Sequence, residues 1–160
     1  MEVKDYVAEQ QGYISRMPSV LKSVYNRVPK ACIMTYGCQQ NVSDSERMKG
    51  MLNNMGYSLC ENAEEADFVL FNTCAVRGHA EDRVYGNIGT MKRLKRQNKN
   101  MIIAVCGCMA QQDIVKEKIK KSYPYVDIVF GTHVQYRLPE FLYKRLNGSA
   151  RIFENPEGQA

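Results

Sequence analysis

From Ala31 onward, short continuous apolar runs alternate with stretches whose apolar residues recur at helical spacing. The runs are Ala31 to Tyr36, Phe68 to Phe71, Met101 to Val105 and Asp127 to Phe130, with a shorter candidate strand at Tyr57 to Cys60. Between them, Met48, Met51, Leu52 and Met55 form one apolar helix face, ended by Gly56, and Ser43 and Glu46 are spaced as a capping box for that helix. Glu61 to Asp67 reads as a short helix or loop. Ala80, Val84, Ile88 and Met91 mark a longer helix that runs into a basic stretch near Asn98. Ile114, Val115 and Ile119 mark a third helix, and Leu138, Phe141, Leu142 and Leu146 a fourth. Strands that are apolar throughout are buried on both faces. Alternating with helices, they predict an α/β fold over residues 31–147: a parallel-sheet, Rossmann-like three-layer domain with helices on both faces. Residues 1–30 are expected to form a helical N-terminal extension of two short helices, broken at Pro18 and loosely attached. Residues 148–160 read as a tail or linker.

A chain of 160 residues is long enough for one well-filled core. No apolar run approaches the roughly 20 residues that span a bilayer, so no membrane partner is expected. The N-terminus lacks a basic-then-apolar leader, and a cytoplasmic location is the expectation. The net charge of +5 is unevenly placed. Lys92, Arg93, Lys95, Arg96 and Lys99 crowd one stretch, and Lys116, Lys118, Lys120 and Lys121 another. Such runs attract nucleic-acid phosphates or are simply the solvated faces of helices. Both readings stay open at this point.

Six cysteines change the picture more. In a reducing compartment an organised set points to metal binding or catalysis rather than to disulfides. Cys38, Cys74 and Cys108 each lie just beyond a predicted strand, at the start of a predicted helix. In a parallel sheet these positions share one edge, the edge where open α/β sheets bind ligands. A place at a helix start also favours the thiolate form that metals need. Cys32 and Cys60 lack this placement and read as core residues. Cys106 belongs to a strand and points away from Cys108, so it too is assigned to the core. Three soft thiolates without a paired C-x-x-C suit an iron–sulfur cluster with one open iron better than a four-ligand zinc site. A structural zinc module without chemistry and a nucleic-acid-binding domain using the Lys92–Lys99 face remain as alternatives.

The segments around these cysteines carry a family resemblance. Tyr36-Gly37-Cys38-Gln39-Gln40-Asn41, Asn72-Thr73-Cys74-Ala75-Val76-Arg77 and Gly107-Cys108-Met109-Ala110-Gln111 resemble the three cysteine motifs of the methylthiotransferase N-terminal domain. Val126 to Gly131 and Arg137-Leu138-Pro139 extend the match, which covers roughly residues 31–146 in the order the family uses. Cys74-Ala75-Val76-Arg77 followed by Ala80-Glu81 is most similar to the MiaB-type subgroup, which methylthiolates isopentenyladenosine beside the anticodon of tRNA. The subgroup that acts on threonylcarbamoyladenosine is the alternative within the family. Gln40 stands where many relatives carry methionine. The resemblance implies a 4Fe-4S cluster on Cys38, Cys74 and Cys108, its open iron carrying the sulfur that is transferred. It also implies a second 4Fe-4S cluster and S-adenosylmethionine in a radical SAM domain, a separate RNA-binding domain, and tRNA as partner. No C-x-x-x-C-x-x-C for the second cluster occurs in this sequence, so the chain is expected to be one domain of a longer transferase and inactive alone. Arg77 is expected either to contact a nucleotide or the cluster surroundings, or to pair with Glu81 one turn on. Asn41 and Asn72 are expected to shape the cysteine loops through side-chain hydrogen bonds.

Overall fold

Six strands line up in the order β2-β1-β3-β4-β5-β6, all parallel, in a computed structural model that describes residues 3–74 and 79–154. They are β1 (Lys30–Thr35), β2 (Ser58–Leu59), β3 (Phe68–Thr73), β4 (Ile102–Gly107), β5 (Ile128–Phe130) and β6 (Ile152–Glu154). The helices are α1 (Val3–Val24), α2 (Gln39–Met55), α3 (His79–Gln97), α4 (Asp113–Ser122) and α5 (Leu138–Leu146). The expected α/β architecture is the one observed.

Strand parity divides the core in two. Val69, Phe71, Ile103, Val105 and Val129 face α3 and α4, packing on Val84, Ile88, Met91, Val115 and Ile119. Phe68, Leu70, Ile102, Ala104, Ile128 and Phe130 face the opposite side, with Met48 and Leu52 of α2, Phe141 and Leu142 of α5, and Met17 and Leu21 of α1. β3 and β4, buried along their whole length, sit at the centre. The chain steps outward from β1 to β2, returns, and resumes on the other side at β3, so the topological switch point lies between β1 and β3. The β3–α3–β4 and β4–α4–β5 connections run over one face, whereas α5 crosses from β5 to β6 over the other. The last crossover therefore has the opposite hand to the two before it, a rare arrangement in parallel sheets.

Three expectations need correction. Residues 3–24 form one continuous helix, not two, with Pro18 inside it. Nor is it loosely attached: Met17 and Leu21 are buried between α1, α2 and α5, and Gln10 exchanges hydrogen bonds with the side chain and backbone N–H of Glu140. An interior proline costs about 3 kcal/mol. Burying two large apolar side chains returns about 1.5–3 kcal/mol each, enough to keep the helix going through Pro18. At the other end, part of the segment expected as a tail pairs with β5 as the sixth strand. Finally, α2 starts earlier than the Ser43/Glu46 pattern implies. Cys38 is its N-cap and Asn41 completes the capping box, while Glu46 pairs with Lys49 instead.

Candidate metal centre at the carboxyl edge of the sheet

Cys38 follows β1, Cys74 follows β3 and Cys108 follows β4, so all three leave the same edge of three adjacent strands. Cys38 and Cys74 flank the switch point. Cys38 and Cys108 are exposed and Cys74 is half-buried. The chain turns sharply before two of them. Gly37 and Gly107 have φ of +106° and +100°, in the left-handed region that glycine tolerates. A methyl group on Gly37 would meet Cys74 Cβ at 2.4 Å, and one on Gly107 would meet the Thr73 carbonyl oxygen at 2.0 Å. The backbone before Cys38 and the backbone before Cys108 thus both press on the Thr73–Cys74 segment.

A buried polar lattice lies under this edge. Asn41 Nδ2 donates to the Thr73 carbonyl at 2.9 Å, and Asn41 Oδ1 accepts from the Cys38 N–H at 3.2 Å and from its thiol at 3.5 Å. The Cys108 N–H donates to the same Thr73 carbonyl at 3.2 Å. Asn72, wholly buried, donates through Nδ2 to the Asn41 carbonyl and to Ser45 Oγ, both at 2.9 Å. Thr73 Oγ1 donates to the Cys106 carbonyl at 2.6 Å. Asn41 and Asn72 do shape the loops. Ser45 and Thr73 join them without any signal in the sequence, since hydroxyls at these positions look like ordinary turn residues. Gln111 is a further member. Its Oε1 accepts the Thr132 N–H at 2.7 Å and ties the 3-10 turn after Cys108 to the one after β5, where Thr132 Oγ1 lies 3.7 Å from Cys108 Sγ.

The cysteines differ in electrostatics as well as in place. The Asn41 and Gln40 N–H groups at the start of α2 pull the Cys38 thiol below its ordinary pKa. Burial pushes Cys106 far up and Cys32 up to about 11. The Cys106 thiol donates to Asn72 Oδ1 at 3.8 Å and is wholly buried in the core. Cys60 departs from expectation: it lies half-buried after β2, against the core rather than in it.

Three thiols, one at a helix start and all on one edge, match the donor chemistry of an iron–sulfur cluster. Among the described residues, no three His, Cys, Asp or Glu side chains stand close enough to hold a metal ion, so the arrangement supplies donors and address without a closed ligand set. Arg77 and its expected pairing with Glu81 lie outside the described residues.

The basic runs are largely engaged in the fold. Lys95 bonds buried Asp127 at 2.7 Å, Arg93 pairs with Glu64 at 3.0 Å, and Lys116 donates to the Gln111 carbonyl at 3.1 Å. Lys118 sits over the Tyr85 ring and Lys120 over Phe153. Lys92, Arg96 and Lys99 form no ion pair among the described residues, but they lie at the end of α3, across the sheet from the cysteines. No described helix is long and apolar enough to cross a membrane.

The sequence profile described as "Uncharacterized protein family UPF0004" matches residues 30–131, the span from β1 to just past β5. The chain belongs to this family. Its relatives include proteins named tRNA-2-methylthio-N(6)-dimethylallyladenosine synthase. The one from Clostridium perfringens (strain SM101 / Type A) is 50% identical over 123 residues, covering 77% of this chain and 28% of the relative. The protein of that name from Caldicellulosiruptor saccharolyticus is 53% identical over 127 residues (79% and 27%), and that from Thermoanaerobacter sp. (strain X514) is 58% identical over 122 residues (76% and 26%). The chain therefore spans a little over a quarter of the length of the relatives it matches.

Proposed function

We propose that this chain is the iron–sulfur domain of a tRNA methylthiotransferase that adds a methylthio group to isopentenyladenosine next to the anticodon. Cys38, Cys74 and Cys108 hold its 4Fe-4S cluster. The observation that carries this reading is the convergence of these three thiols on the carboxyl ends of β1, β3 and β4 in a chain whose relatives bear that activity in their names. With three protein thiolates on four irons, the cluster offers one open iron for the sulfur to be transferred. The chain's own residues prepare the place. The start of α2 favours the Cys38 thiolate, Gly37 and Gly107 let the loops approach, and Cys106 stays in the core. The remainder of the protein supplies a second 4Fe-4S cluster, S-adenosylmethionine and the RNA-binding domain, with tRNA as the partner and the cytoplasm as the location. Alone, the domain binds the cluster and does not turn over tRNA.

Anaerobic reconstitution tests the reading. The wild-type chain should take up about four irons with matching acid-labile sulfide. Cys38→Ala, Cys74→Ala or Cys108→Ala should each lose them, and Cys106→Ser should keep them. Tightly bound zinc, or iron that depends on Cys106, would leave only a structural metal module. The substrate is tested with the full-length protein on tRNA carrying either isopentenyladenosine or threonylcarbamoyladenosine, with nucleosides identified by mass. A methylthio product from the second alone would move the protein to the other subgroup.

A further inference from the structure

All three cysteine loops meet at one peptide group. The Thr73–Cys74 carbonyl accepts the Asn41 side chain from the Cys38 loop and the backbone N–H of Cys108 from the third loop. Asn41 touches both sides of this junction: its other end holds the Cys38 N–H and thiol. The residue is buried, and its carboxamide is fixed from behind, since Asn72 Oδ1 lies 3.4 Å from Nδ2 and the Asn72 amide grips the Asn41 backbone carbonyl. Asn72 in turn is held by Ser45, whose Oγ lies 2.7 Å from Thr35 Oγ1 at the end of β1. A capping residue needs only an acceptor for the N-cap N–H. This one uses its donor as well, to bridge two loops whose thiols belong to different strands.

We infer that Asn41 is a positioning residue for the three-thiol site, its carboxamide setting the spacing of Cys38 against Cys74 and Cys108 before any metal binds. The inference rests on the cluster reading for its purpose but not for its geometry. The carboxamide presents an acceptor to Cys38 and a donor to Thr73 from two separate atoms. Serine at this position keeps an acceptor for the cap and cannot reach the Thr73 carbonyl. Aspartate keeps the acceptor and turns the bridge into a repulsion between oxygens.

The experiment compares wild type with Asn41→Ser and Asn41→Asp in the 160-residue chain, using two readouts besides folding. In the metal-free protein, dibromobimane, which bridges thiols a few ångström apart, reports Cys38–Cys74 proximity through the fluorescence of the bridged peptide. In the reconstituted protein, loss of iron to a chelator and the electron paramagnetic resonance spectrum of the reduced cluster report how well it is held. Thermal unfolding shows which variants remain folded. Asn41→Ser is expected to stay folded, to cross-link at least about fivefold more slowly, and to release iron at least about fivefold faster with an altered spectrum. Asn41→Asp should do worse in both. Cross-linking and iron release within twofold of wild type in folded Asn41→Ser would reduce Asn41 to a helix cap and overturn the inference. Failure of wild type to bind iron, with cross-linking still dependent on Asn41, would instead sink the cluster reading and leave the spacing role standing.

Discussion

Replacing Gly107 with alanine probes how tightly the second and third cysteine loops are pressed together, and Gly148→Ala supplies its control. The two glycines have nearly the same backbone, with φ of +100° and +97°. An alanine forced into this region costs about 1–2 kcal/mol at either site. Their surroundings differ completely. At Gly148 a new Cβ meets nothing within 4 Å, whereas at Gly107 it lies 2.0 Å from the Thr73 oxygen and 2.8 Å from the Thr73 nitrogen. Those atoms belong to the backbone of a central strand and cannot rotate away. Relief requires β3 and β4 to part at their ends, with overpacking strain of about 1–3 kcal/mol. It also stretches the Cys108 and Asn41 hydrogen bonds to Thr73, each contributing about 1 kcal/mol. Gly107→Ala should therefore destabilise by about 4–7 kcal/mol, a large part of the stability of an ordinary domain, and Gly148→Ala by about 1–2 kcal/mol. At about 2–4 °C per kcal/mol for a chain this size, the first variant should melt about 10–25 °C lower. Urea and thermal unfolding of the metal-free chain, followed by circular dichroism, measure both. Equal losses in the two variants would refute the close approach and with it the pressing together of the loops.

Other perturbations test separate links. Arg137, Lys144 and Gln10 hold the buried Glu140 carboxyl at about 2 against the upward push of burial. Because its folded pKa is lowered, its stabilisation is complete above the ordinary value of 4.5 and disappears as pH falls toward 2. Glu140→Gln should lose about 1–3 kcal/mol at neutral pH in urea titrations and show a flatter decline between those two values, and an unchanged profile would contradict the pairing. Iodoacetamide on the metal-free chain near neutral pH, read by peptide mapping, should label Cys38 ahead of Cys32 and reach Cys106 only on unfolding; early labelling of Cys106 would expose a loose β4. Met17→Ala should cost about 2–5 kcal/mol if α1 is part of the core, and a loss under about 1 kcal/mol would return it to the status of a loose extension.

The strands were legible because β3 and β4 are buried on both faces and each opens with four apolar residues in a row, Phe68 to Phe71 and Ile102 to Val105. The carboxyl-edge address of Cys38, Cys74 and Cys108 followed from those strands and the parallel topology alone. What stayed hidden depended on partners far away in the chain. Local propensity ends a helix at Pro18, but Met17 and Leu21 are paired with α2 and α5, which no local window sees. β6 has three residues, half-buried at a sheet edge, too few to show a period. The start of α2 was misplaced because Ser43 and Glu46 form a standard capping pattern, whereas a cysteine is not among the residues preferred at an N-cap. Its use here follows from Asn41, whose bond to Thr73 links it to a strand 32 residues away. The face chosen by α5 is likewise a tertiary outcome, since its apolar stripe fits either side of the sheet.

The six thiols sort by one geometric rule. A cysteine inside a strand must point to one face or the other, and both faces here are covered by helices. Cys32 therefore joins the α3/α4 core and Cys106 the α2 side, and burial raises both pKa values. One to three residues past the strand end, the same side chain leaves the layers; at Cys38 it meets the start of α2, whose N–H groups favour the thiolate. Cys106 and Cys108 are thus two residues apart in sequence yet in opposite surroundings, one buried and one exposed, separated by the turn at Gly107. The glycine that sets the turn decides which of the two thiols stays in the core and which reaches the exposed edge, as much as the cysteines themselves do.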